Sequence, residues 1–101
     1  MRIWVDDIRP APEGYSVWAY TTEIAIDIIK KADALGIEIE LLDMDHDAGD
    51  YAKEGGDYIK ILEYMERHNI NAPPIRIHSM NPVGVANMRA IIQHNGWTEV
   101  R

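Results

Sequence analysis

The chain has 101 residues, 47% apolar and 27% charged, which supports one core but not two, so a single domain over residues 1–101 is expected. Its net charge of −7 argues against an extended basic nucleic-acid surface, but not against holding one terminal phosphate through a few groups and a divalent cation. No apolar run reaches membrane-spanning length and a strand starts too early for a signal peptide; with no cysteine, a cytoplasmic setting without disulfides or thiolate zinc is expected.

Arg2 to Asp6 reads as a short strand ending in two acids. Two prolines and a glycine make residues 9–14 a loop, and Ser16 to Tyr20 a second strand. Thr21 or Thr22 can cap a helix whose Ala25, Ile28, Ile29 and Ala32 recur at helical spacing, with Gly36 as its stop. Ile37 to Met44 is apolar enough to be a central third strand. Ala48 to Gly56 is expected to be a flexible loop, and Asp57 to cap a helix that buries Tyr58, Ile61, Leu62 and Met65. Pro73-Pro74 precede the fourth strand, Ile75 to Ile77. Asn81-Pro82 then opens a helix with Val85, Met88, Ile91 and Ile92 inward, and Trp97 to Arg101 suits a last edge strand. Strands alternating with amphipathic helices predict an α/β fold, a three-layer, doubly wound parallel sheet covered on both faces. The first two strands are too close for a full crossover helix, so the first helix is reduced, at most a turn around Ala11 to Gly14.

Polar clusters fall where the strands run out, and open α/β sheets bind ligands there. Asp6-Asp7 repel one another and suit Mg²⁺ or Mn²⁺, hard cations that take carboxylate oxygens. A solvated turn is the plain alternative. Asp43, Asp45 and Asp47 point the same way in an extended strand, so at least one faces a pocket shared with Asp6 and Asp7. Asp45 is the expected one, because Met44 is the last apolar residue. His46 suits general acid or base work. His78, Ser79, Asn81 and Gly84 lie where a helix start can bind an anion, although Asn81 also suffices as a simple cap. Arg9 can pair with a carboxylate or bind phosphate. Trp4, Trp18 and Trp97 read as core or rim packing rather than a base-stacking platform.

Three segments carry a resemblance. Trp4-Val5-Asp6-Asp7-Ile8-Arg9-Pro10, Asp45-His46-Asp47-Ala48-Gly49 and His78-Ser79-Met80-Asn81-Pro82-Val83-Gly84 resemble, in that order, the hallmarks of cyclic-phosphate processing receiver domains. These are a divergent branch of response-regulator receiver domains, associated with RNA repair. The resemblance spans nearly the whole chain and implies a receiver (flavodoxin)-like fold. It also implies Asp6 and Asp7 as metal ligands, Asp45 as the strand-three acid, and Arg9, His46, His78 and Ser79 as the branch's extra polar site. Aligned on Leu41-Leu42-Asp43 instead, Asp43 takes the place of Asp45. No lysine follows His68 to clamp an aspartyl phosphate, as classical receivers do.

The leading expectation is a metal-assisted phosphoesterase acting on a cyclic phosphate, of a small molecule or an RNA end. Asp6, Asp7 and Asp45 would hold Mg²⁺ or Mn²⁺, and His46 and His78 would share acid and base roles. Arg9, Ser79, Asn81 and Gly84 would bind the phosphate. The rivals are a receiver-like module switched by phosphorylation and a module that only binds a protein partner.

Overall fold

The computed structural model describes residues 1–101. Strands β1 (Arg2–Val5), β2 (Val17–Ala19), β3 (Leu41–Met44), β4 (Ile75–Ile77) and β5 (Glu99–Val100) pair in parallel in the order β2-β1-β3-β4-β5. Helices α1 (Thr22–Leu35), α2 (Ile59–Arg67) and α3 (Pro82–His94) form the crossovers, and a 3₁₀ turn (Gly49–Lys53) precedes α2. This is the receiver (flavodoxin)-like arrangement, with the crossover between β1 and β2 reduced to a turn at residues 13–14.

The missing helix changes which faces are covered. Connections β2 to β3, β3 to β4 and β4 to β5 all step the same way across the sheet. Right-handed crossovers then put all three helices on one face. Only the step from β1 to β2 runs the other way, and it carries no helix. The α/β sheet of receiver type with a reduced first crossover is thus as expected. Strand alternation agrees: Ile3, Val5, Leu42, Met44 and Ile75 join Ala25, Ile29, Ile61, Leu62, Met65, Met88 and Ile92 in one buried cluster. The opposite face presents Arg2, Trp4, Trp18, Asp43 and Arg76, with Trp4 beside Trp18 and Asp43 in register.

Local chemistry accounts for the element ends. Thr21 accepts the Ile24 N–H at the start of α1, and Gly36 closes it in the left-handed conformation (φ 67°). β3 is shorter than expected, because β1 begins at Arg2 and offers no partner upstream of Leu41; Ile37 is left 46% exposed. Residues 48–56 are ordered around the 3₁₀ turn rather than forming an open loop. Asp57 does not cap α2. Its carboxylate instead accepts the Ala48 N–H at 3.0 Å and pins that turn back on the helix. Asn81 caps α3 and Pro82 occupies its first turn, as expected. Gly84 is buried on α3, and Val85 only partly.

Candidate functional site

At the carboxyl ends of β1, β3 and β4 two carboxylates share one imidazole. Asp43, wholly buried in the central strand, accepts from the Tyr15 hydroxyl, faces His78 Nδ1 at 2.7 Å and meets Arg76 at 3.4 Å. The other ring nitrogen of His78 lies 2.9 Å from Asp6 Oδ2. Asp6 Oδ1 accepts the backbone N–H groups of Ile8 (2.9 Å) and Arg9 (2.8 Å), and the Arg9 guanidinium lies 3.4 Å from Oδ2. Trp4 stacks flat on His78, with ring centroids 3.9 Å apart and planes 3° from parallel. Tyr15 meets Trp4 edge-on, and the Trp4 indole N–H holds the Arg9 carbonyl at 2.8 Å. The β1–β2 segment is thus tied over the helix-free face, where it buries Asp43.

Burial by itself raises the pKa of both acids, because it disfavours the charged form. At Asp6 the Arg9 and Ile8 backbone donors and His78 outweigh it, and the carboxyl sits below its ordinary value. At Asp43 the hydrogen bonds from His78 and Tyr15, with the charges of His78 and Arg76, do the same. Tyr15 moves up, through burial and through donating to an anion. Both oxygens of Asp6 and of Asp43 are engaged with protein donors.

Beside this network lies an open acidic mouth. Burial and the charges of Asp6, Asp45 and Asp47 push the Asp7 carboxyl up, against a lowering only from its own backbone. Its Oδ2 sits so close to Gly49 that any Cβ there would collide with it. Asp45 is buried; one oxygen accepts the His46 backbone N–H at 2.7 Å and the other takes no protein donor. Oxygen donors short of partners, in a field of like charge, fit a hard divalent cation. Asp7 and Asp45 could each offer such an oxygen. Asp6, Asp45 and His78 also bring ligand atoms within 4.8 Å of one another, but those of Asp6 and His78 already pair together.

His46 stands at the edge of this mouth. Its Nδ1 is 2.7 Å from Asp47, which also accepts from the Asn81 amide at 3.2 Å. That contact holds the Asp47 pKa down. The His46 ring lies on the first turn of α3: a Cβ on Gly84 would come within 2.6 Å of Nδ1. The packing explains why Gly84 is buried. It also alters the expected anion site, because Pro82 has no N–H and the Gly84 N–H already donates to the Asn81 side chain at 3.0 Å.

The structure thus joins Asp6, Arg9 and His78 in one network and His46, Asn81 and Gly84 in another, with Asp7 and Asp45 between. Ser79 stands apart. Its hydroxyl oxygen accepts the Asn81 N–H and it lines a separate depression of about 330 Å³ with Met80, Pro82, Val85, Ala86 and Arg89. Sequence reasoning missed Tyr15 and Arg76 as partners of Asp43, and Tyr51 and Lys53 beside Asp7. Only the unresolved choice between Asp43 and Asp45 hinted at the first pair. Asp43 lies inside the network and Asp45 at the mouth.

No curated protein and no solved structure matches this chain. Over residues 1–94 it matches the Cyclic-phosphate processing Receiver domain, and with nearly its whole length and all three clusters inside that match, the chain belongs to this family.

Proposed function

We propose that this domain hydrolyses a cyclic phosphodiester, such as the 2′,3′-cyclic phosphate of a nucleotide or an RNA end. The observation that carries this reading is His46: Asp47 orients its Nδ1, Gly84 seats its ring, and Nε2 has no protein partner. An imidazole so oriented, next to unpaired carboxylates, is arranged for general-base catalysis. His46 takes a proton from water as the water oxygen bonds to phosphorus. One ring P–O bond breaks, and the departing oxygen takes a proton from solvent at the open mouth. The product is a phosphomonoester. Mg²⁺ or Mn²⁺ held by Asp7 and Asp45 would polarise the phosphoryl oxygens and neutralise developing charge. Arg9, 54% exposed on its side chain and anchored at Asp6, supplies a cation to the same region. His78, with both nitrogens engaged, is a positioning residue that fixes Asp6 and Asp43.

The test is hydrolysis of 2′,3′-cyclic nucleotides and cyclic-phosphate RNA ends with and without Mg²⁺ or Mn²⁺. His46→Ala is expected to lower kcat by about 10²- to 10⁴-fold, the usual share of general acid–base catalysis. Asp45→Asn should abolish the metal dependence. Wild-type protein inactive with every metal, or a fully active His46→Ala, overturns the reading.

A further inference from the structure

A cleft of about 470 Å³ opens beside the acidic mouth, lined by Asp7, Ile8, Gly49, Asp50, Tyr51 and Lys53. Its volume is in the range of small-molecule sites. Tyr51 is the inner end of an aromatic run along this edge. The Tyr51 ring lies 5.2 Å from that of Tyr20, and Tyr20 lies 6.0 Å from Trp18. Tyr20 and Trp18 are each 40% exposed, so the run is not consumed by the core. Hydrogen bonds steady two of its members: the Trp18 indole donates to the Asp6 carbonyl (2.8 Å), and the Tyr20 carbonyl accepts from the Tyr58 hydroxyl (2.7 Å). Lys53 makes no ion pair, although Asp7 and Asp50 line the same cleft. Of that run Tyr51 alone lines the cleft, and Lys53 and Asp7 share the lining with it.

We propose that this cleft is a nucleoside subsite, in which Tyr51 stacks a nucleobase and Lys53 pairs with the phosphate. Rings tolerate any base, because every base offers a π-face, and Asp50 adds an acceptor for a ribose hydroxyl or a base amino group. The assignment rests on the hydrolytic reading above and narrows it to cyclic phosphates that carry a base.

Binding is measured by titration calorimetry with two probes that cannot be hydrolysed further at a cyclic phosphate. They are adenosine 3′-monophosphate and its base-free counterpart, methyl ribofuranoside 3-phosphate. The adenosine probe is expected to bind at least about fivefold more tightly, the lower end of a single stacking contact. Tyr51→Leu should erase that advantage, Tyr51→Phe should keep it, and Lys53→Gln should weaken both probes alike. Equal affinity of the two probes for the wild type, or an advantage that survives in Tyr51→Leu with circular dichroism unchanged, overturns the subsite. Lengthening the probe on its 5′ side separates the sources: unchanged affinity marks a free nucleotide and tighter binding an RNA end, each supporting a base-reading cleft. Hydrolysis of cyclic phosphates without a base preference defeats the subsite alone. Base-dependent binding without hydrolysis defeats the hydrolytic reading alone.

Discussion

At the scale of single residues, Asp43 and Asp7 show how neighbouring carboxylates acquire opposite roles. Asp43 has no solvent and three donors, so it is stable as an anion only while His78, Tyr15 and Arg76 remain. Removing one partner of a buried charge costs about 3–5 kcal/mol. His78→Ala, which strips a partner from Asp43 and Asp6 together, should destabilise on that scale, seen as a lower urea midpoint. Stability near wild type in that variant would deny the network its structural weight. Asp7 is the reverse case, an acid among acids with its pKa raised. Asp7→Asn is therefore expected to stabilise the metal-free protein, by at most about 1 kcal/mol because solvent screens the site. The same variant should lose any rise in Tm on adding Mg²⁺ or Mn²⁺. A Tm shift equal to that of the wild type would remove Asp7 from the metal site.

Among the elements, the start of α3 couples packing to chemistry. Asn81 caps the helix through the Gly84 N–H and steadies Asp47 with its amide, while the Gly84 Cα faces the His46 ring. Alanine is the better helix former by about 0.8–1 kcal/mol. Gly84→Ala should therefore leave the helix intact, yet its methyl occupies the seat of the imidazole. The expected outcome is a lower Tm, from overpacking that typically costs about 1–3 kcal/mol, with a kcat at least tenfold lower; unimpaired turnover would show that His46 need not rest there. The fold of these elements was legible where periodicity was strong, as in α1 and α2. It was less so in residues 48–57, where Asp57 looked like a helix cap. Its true partner, the Ala48 N–H, lies nine residues upstream and becomes available only because the 3₁₀ turn folds back.

For the whole molecule, the acids set how stability varies with pH. Asp6 and Asp43 have folded-state values below the ordinary 3.8. Their contribution is therefore present above that pH and is lost as pH falls through the lowered values. Asp7 acts with the opposite sign: its charge costs stability above its raised value, and acidification through that value relieves the cost. Metal-free protein should accordingly hold or gain stability as pH drops from neutral toward about 4, then lose it steeply below 3.8. Urea midpoints measured across this range check both parts, and a steady loss beginning near neutrality would contradict them. The three helices on one face also explain why the network can exist. With no helix between β1 and β2, the opposite face is left to Trp4, Tyr15 and the loop that brings Arg9 to Asp6.

The sequence by itself determined the alternation of strands and helices, the cap at Asn81, and the gathering of Asp6, Asp7, Asp45, His46 and His78 at strand ends. Each depends on local spacing or on the direction of a strand, which neighbouring residues report. Tertiary structure alone decided which acids pair and which remain open. The separation of His78, with both nitrogens engaged, from His46, with one free, depends on partners 35 and 72 residues from His78 and on the first turn of α3. The aromatic run toward Tyr51 likewise joins residues from β2 and the 3₁₀ turn. Hydrogen-bond satisfaction and burial are properties of packed neighbours, and one-dimensional spacing does not encode them.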